Sequence, residues 1–298
     1  ISAVGYLTPF FPWLGTGAVP LFVGVVGVIW LTTLANFGGP RITGQIGTVT
    51  VWGVIIPVGM LCIIGWFYFK PDVFVAAWNP NNMAIGDAVA ASIPLTLWAF
   101  LGMESAAQNS DAVENPKKNV PLACMLGTMG AAVVYILSTT VIQGIVPNAE
   151  LANSTAPFAV VYAQMFNPTI GKIIMALAVL ACVGSLLGWQ FTLSQTAKYT
   201  ADGRMFPKFF AKVSAKNAPI IGMVVAGVIQ TLMAVSTMSP DATAQFNKLV
   251  NLAAVTNIVP YILSISALMV VMYKAKTVTH KFRTNLIAVF VAIFYSIY

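Results

Sequence analysis

Residues 97–105 read LWAFLGMES and place a carboxylate, Glu104, inside an apolar segment of membrane length. A charged side chain in the middle of a membrane helix costs roughly 2.5 to 3.5 kcal/mol on insertion scales, so such acids face a cavity or a partner of opposite charge. The interiors of the other apolar segments contain no Lys or Arg. We therefore expect Glu104 to bind a cationic ligand that enters and leaves.

The composition is that of an integral membrane protein. Of the 298 residues, 58% are hydrophobic and 8% are charged, whereas a soluble domain has about 25% charged residues. Runs of 18 or more apolar residues recur, and each can cross a hydrocarbon core about 30 Å thick at 1.5 Å per residue. A membrane β-barrel would show shorter segments of alternating polarity. The sequence therefore predicts an all-α integral membrane fold.

Seven complete membrane spans are predicted. They lie near 18–37, 44–69, 86–112, 121–146, 173–198, 218–238 and 249–273. The end of an earlier helix precedes them at 1–7, and an incomplete span begins near 284. Because the chain starts without Met inside one apolar run and stops inside another, we expect residues 1–298 to form a single transmembrane domain in the middle of a longer protein.

The distribution of basic residues predicts the orientation of these spans. Lys and Arg accumulate in short cytoplasmic loops, and alternate loops hold twelve of the fifteen basic residues: Arg41, Lys117, Lys118, Lys198, Arg204, Lys208, Lys212, Lys216, Lys274, Lys276, Lys281 and Arg283. The other loops carry Lys70, Lys172 and Lys248 and are assigned to the outside. Since the net charge of +7 arises in these loops, we do not expect nucleic-acid binding.

The spacing of Trp98 and Glu104 predicts a broken helix. They are six positions apart, so on a continuous helix they would point about 120° away from each other at 100° per residue. If the helix unwinds near Gly102, both side chains can face one cavity. The freed carbonyls would then add partial negative charge, which favours a cation, and broken helices are common at transporter sites. The alternative is a continuous helix that holds Glu104 near the cytoplasmic interface.

Two other aromatic residues are candidates for the same site. Trp189 lies some sixteen residues into its span, deeper than the aromatic residues that mark the membrane surface. Its ring could cover a substrate ammonium group, an attraction of roughly 0.5 to 2 kcal/mol. A packing or interfacial role for Trp189 remains equally open. Tyr261 is a weaker candidate, with an ordinary place in the helix bundle as the alternative.

The sequence offers little for enzyme chemistry. Enzymes within the membrane need paired acids, a metal cluster or a nucleophile with its base, and His280 is the only histidine. The three cysteines, Cys62, Cys124 and Cys182, lie in apolar spans, where cysteine usually acts as a small hydrophobic residue. No motif of a channel filter is present. We therefore expect a protein without enzyme activity, cofactor or metal site.

Several strings resemble the basic amino acid and polyamine antiporters of the amino acid, polyamine and organocation superfamily. The resemblance runs over essentially the whole chain and is greatest to bacterial putrescine and ornithine antiporters. The strings are ENPKKNVP at 114–121, placed after 97–105, together with ANFGG at 35–39, RITGQI at 41–46, ANSTAPF at 152–158 and SLLGWQF at 185–191.

The resemblance implies a fold of twelve spans built on two inverted five-helix repeats, with the first and sixth helices broken around a central site. This chain would supply the end of the third span to part of the eleventh, with the second repeat at about 86–273. The family's site residues carry over as Glu104, which binds the amine, Trp98 on the broken helix, and Trp189, which lines and gates the site. Tyr261 matches a family tyrosine.

The implied function is exchange of putrescine for ornithine by alternating access across the bacterial inner membrane. Two alternatives stay open. One is proton-coupled polyamine uptake, with Glu104 taking up the proton, and the other is antiport of cadaverine with lysine or of agmatine with arginine. The expected partners are small cationic substrates, namely a diamine and a basic amino acid, and membrane lipids. Relatives form homodimers, but the sequence leaves the oligomeric state open.

Overall fold

The computed structural model describes residues 1–102, 114–152, 154, 156–238, 242–274 and 286–294. Within these ranges the chain forms helices joined by turns, and no β-strand occurs there. The prediction of an all-α fold is therefore confirmed.

Twelve α-helices are numbered here in chain order over the described ranges. They are α1 Ser2–Leu7, α2 Ala18–Asn36, α3 Pro40–Ile64, α4 Pro71–Trp78, α5 Ile85–Phe100, α6 Pro116–Ile145, α7 Asn148–Ala152, α8 Pro157–Met165, α9 Pro168–Asp202, α10 Ile220–Ala234, α11 Ala242–Lys274 and α12 at 286–294. Short 3-10 helices lie between these α-helices, at Pro12–Gly15, Gly65–Tyr68, Lys208–Ala211 and Val235–Met238.

Five stretches of the described chain are long and apolar enough to cross a membrane. They are Ala18–Asn36, Pro40–Tyr68, Pro116–Ile145, Pro168–Asp202 and Asn247–Lys274. Two shorter apolar helices, α5 and α10, lie where the spans 86–112 and 218–238 are predicted. The order of the elements thus follows the predicted order of spans.

Three long helices begin earlier than predicted. Helices α3, α6 and α9 start at Pro40, Pro116 and Pro168, four or five residues before the predicted starts at 44, 121 and 173. Proline suits the first helical position because its φ is already helical and the N–H it lacks would have no partner there. The apolar pattern begins only after this first turn, and for that reason it places the starts too late.

Two compact units make up the chain. The first contains Ile1–Met83 and the described residues of Gly102–Gln245, and the second contains Ala84–Leu101 and the described residues of Phe246–Tyr298. In the first unit, α9 is the central helix, since it packs against α1, α2, α3, α8 and α10. One apolar cluster joins α3, α6, α8 and α9 through Leu61, Val141, Ile145, Val146, Val161, Tyr162, Met165 and Ile174.

Small residues allow α3 and α9 to approach closely. A Cβ atom at Gly53 would lie 2.7 Å from the carbonyl oxygen of Leu177, and one at Gly184 would overlap the side chain of Thr50. Substituting either glycine would therefore separate the two helices. This contact fixes one side of α9.

The second unit contains α5, α12 and the part of α11 from Phe246 onwards. Pro94 lies within α5 and Pro260 lies within α11. Each proline removes one N–H from the helical ladder and leaves the carbonyl four residues earlier without its usual donor. Membrane helices tolerate such breaks where neighbouring groups or water satisfy the freed carbonyl.

Candidate functional site

Helix α5 ends two residues before Gly102. Its last residue is Phe100, and Leu101 has φ −63° and ψ 138°, which is extended backbone. The N–H of Leu101 still donates to the carbonyl of Trp98 at 3.2 Å. Gly102 follows with φ 106°, a conformation that residues with a side chain rarely adopt. The last carbonyls of α5 carry the partial negative charge of a helix C-terminus.

The indole of Trp189 lies directly against Gly102. A Cβ atom at Gly102 would be 2.8 Å from Cζ2 and 3.0 Å from Cη2 of Trp189. Trp189 stands on α9, which is continuous from Pro168 to Asp202, and half of its side chain remains exposed. Two of the predicted site residues are therefore in contact, although they are distant in sequence.

The other predicted site residues are placed separately. Trp98 lies in the last turn of α5 and is 41% exposed, and Tyr261 is half-buried on α11. Both belong to the second unit. Glu104 falls within 103–113, which lies outside the described residues. Its place, and any continuation of the helix beyond Gly102, stay predictions.

A buried polar cluster lies beside Trp189. Gln190 is 1% exposed, and its Nε2 is 2.7 Å from Oε1 of Gln230 and 3.1 Å from Oγ1 of Thr33. Nearby, Asn36 donates from Nδ2 to the carbonyl of Leu187 at 3.0 Å. These contacts join α2, α9 and α10 in the first unit.

None of the residues in this cluster is among the predicted site residues, although the sequence contains a signal for them. Asn36, Gln190 and Gln230 are amide side chains within apolar spans, and amides in membrane helices commonly bond across helices. The spacing along the chain does not reveal which amides meet. Their pairing depends on the packing of α2, α9 and α10.

The chemistry of this arrangement suits a cation more than a covalent reaction. The indole of Trp189 offers an aromatic face, and the last carbonyls of α5 carry partial negative charge; each of these features by itself attracts a cation. The described residues contain no group of three His, Cys, Asp or Glu side chains arranged to hold a metal ion. Only Lys198 and Asp202, 2.8 Å apart on α9, form an ion pair within the described ranges.

Comparison with known proteins gives matches over most or all of the chain. The amino acid permease family matches residues 1–298. The putrescine transporter PotE of Escherichia coli (strain K12) is 55% identical over 300 residues, which covers 100% of this chain and 68% of that protein. PotE of Haemophilus influenzae is 52% identical over the same shares. The cadaverine/lysine antiporter of Escherichia coli (strain K12) is 35% identical over 269 residues, covering 89% of this chain and 60% of that protein.

Proposed function

Because this chain belongs to the amino acid permease family, we propose that it acts in the exchange of putrescine for ornithine by alternating access. It is a multi-pass protein of the bacterial inner membrane, and its family consists of transporters and not enzymes. The relatives named for putrescine transport are 52% and 55% identical, whereas the cadaverine/lysine antiporter is 35% identical. These values favour putrescine over cadaverine as the diamine.

One observation carries the proposed site, namely the contact of Trp189 with Gly102 just after the end of α5. In a membrane, a helix that stops within an apolar segment leaves carbonyls that need a partner. Carbonyls at the end of α5 can accept a hydrogen bond from an ammonium group, and the indole of Trp189 can cover one. We assign Trp98, Trp189 and Tyr261 to the binding of substrate.

We assign to Glu104 the negative charge that binds the ammonium group of the substrate. Putrescine has two ammonium ends, and ornithine has one ammonium side chain with an α-amino acid group at its other end. A single carboxylate can pair with the end that both substrates share, while polar and aromatic groups accept the different second ends. Each exchange of putrescine outward for ornithine inward would move one net positive charge out of the cell.

Replacing Glu104 tests this assignment. In the full-length transporter, Glu104→Gln is expected to reduce labelled putrescine entry into ornithine-loaded proteoliposomes by about tenfold or more. A hydrogen bond to a charged group is worth roughly 1.5 to 3 kcal/mol, and each 1.4 kcal/mol corresponds to about tenfold in affinity. Glu104→Asp, which keeps the charge on a shorter side chain, should raise KM and retain exchange.

The matched control is Glu150→Gln. Glu150 is exposed on α7, where it accepts a hydrogen bond from Gln164 at 3.0 Å, and its loss should leave exchange unchanged. Undiminished exchange in Glu104→Gln would refute the assigned role. Challenging the wild type in the same vesicles with ornithine, lysine, arginine, agmatine and cadaverine identifies the substrate pair. Uptake into empty vesicles that collapses with the proton gradient would instead indicate proton coupling.

A further inference from the structure

The amide of Gln190 is surrounded by groups from two other helices. Its Nε2 lies 2.7 Å from Oε1 of Gln230 on α10, and 3.1 Å and 3.3 Å from Oγ1 of Thr33 and the carbonyl of Ile29 on α2. None of the described residues donates to the buried Oε1 of Gln190. A buried amide that loses its hydrogen bonds is costly in an apolar environment. Rotation of α9 would therefore be opposed at this position.

A second polar contact fixes α9 three residues earlier. Asn36, which is fully buried, donates from Nδ2 to the carbonyl of Leu187 at 3.0 Å, and its Oδ1 accepts from Thr43 at 2.8 Å. The two contacts to α2, at Leu187 and Gln190, lie on either side of Trp189. The segment that carries the indole is thus held at both ends.

These contacts also determine the direction in which the side chain of Trp189 points. Successive residues on a helix point about 100° apart, so the orientation of Gln190 towards α2 and α10 determines where Trp189 points. In the structure it points at Gly102. An apolar side chain at position 190 could accommodate several rotations of α9 about its axis, whereas directional hydrogen bonds favour a single rotation.

We propose that Gln190 is a positioning residue, which through Gln230 and Thr33 fixes the rotation of α9 and so holds the indole of Trp189 against Gly102. The effect on transport rests on the proposed function, in which Trp189 contacts the substrate amine. The effect on the rotation of α9 does not depend on it. The two can therefore be measured separately.

The transport experiment uses Gln190→Leu, Gln230→Leu and the double variant in the full-length protein. We expect Gln190→Leu to raise KM for putrescine by roughly 3- to 30-fold, the range of a lost cation–π contact, with kcat changed less than twofold. Because the two amides act as a pair, the double variant should be no worse than Gln190→Leu. Putrescine binding is also followed by the change in tryptophan fluorescence, and the contribution of Trp189 is the part of this change that Trp189→Phe abolishes. This contribution should be smaller in Gln190→Leu than in the wild type.

The rotation experiment needs no substrate. Leu193 is exposed one turn after Trp189 on the same face of α9. In a protein whose native cysteines have been replaced, the accessibility of Leu193→Cys to maleimide reports the direction in which that face points. Adding Gln190→Leu should change the rate of maleimide labelling about threefold or more. If labelling depends on Gln190 while the wild type does not exchange putrescine, the proposed function fails and the positioning role stands.

The matched control is Gln164→Leu, the same substitution at an exposed glutamine of α8. It should change neither KM nor the fluorescence response, and it should not alter labelling at position 193. The proposal is overturned if Gln190→Leu behaves like Gln164→Leu in all three measurements. Additive KM increases in the double variant would overturn the paired action of Gln190 and Gln230.

Discussion

Gly102 meets two independent requirements at one position. Its φ of 106° lies in the left-handed region, and the indole of Trp189 occupies the space that a side chain would need. Either requirement alone would favour glycine. Together they require glycine at the position where the indole of Trp189 lies.

Substitution of Gly102 is therefore expected to disturb stability and transport together. Gly102→Ala forces a strained backbone, a cost of about 1 to 3 kcal/mol, and displaces the Trp189 ring. We expect a lower thermal midpoint in detergent and exchange reduced about tenfold. The thermal midpoint is measured on the purified protein in detergent, and exchange is measured after reconstitution into vesicles.

Gly188→Ala is the matched control for this change. Gly188 precedes Trp189 within α9, and a Cβ atom there would meet nothing within 4 Å. Alanine is favoured over glycine in a helix by about 1 kcal/mol, so stability should be equal or higher. Equal losses in Gly102→Ala and Gly188→Ala would show that the contact with Trp189 is not the cause.

At the scale of elements, the short helix α8 is attached to the long helix α3. The hydroxyl of Tyr162 donates to the carbonyl of Pro57 at 2.6 Å, and the Tyr162 ring is fully buried in the cluster that joins α3, α6, α8 and α9. Burial raises the pKa of Tyr162 to about 12, so the phenol stays protonated and able to donate even at alkaline pH.

Removing this hydroxyl should weaken the attachment of α8. Tyr162→Phe keeps the ring and leaves the Pro57 carbonyl without this donor, which costs about 1 to 3 kcal/mol for a buried group. We expect a lower thermal midpoint in detergent. Tyr199→Phe provides the comparison, since Tyr199 is 65% exposed and should tolerate the change. A Tyr162→Phe protein as stable as Tyr199→Phe would argue against the hydrogen bond.

For the whole molecule, the charge of the loops predicts the orientation in the membrane. A cysteine replacing Lys208, in the short helix Lys208–Ala211, should react with a membrane-impermeant maleimide only in inside-out vesicles. A cysteine replacing Lys172 near the start of α9 should react only in intact cells. The reverse pattern would show that the chain has the orientation opposite to the one that the positive-inside rule predicts.

Prediction from sequence worked well for elements and less well for contacts. The all-α class and the family resemblance are confirmed, because long apolar runs and local strings are properties of neighbouring residues. The short helices α4, α7 and α8 were not predicted, since an apolar run of about two turns has no clear periodic signal. Glu104, the residue on which the sequence argument depends most, lies outside the described residues and its role stays a prediction.

The sequence by itself determined which segments are membrane helices, since a chain in hydrocarbon must satisfy its backbone hydrogen bonds within each helix. It also marked Gly102 as the expected interruption. Only the tertiary structure decided that Trp189 lies against Gly102 and that Gln190 meets Gln230 and Thr33, which are 40 and 157 residues away along the chain. Local patterns determine a helix and its faces, but the packing of helices determines which faces meet.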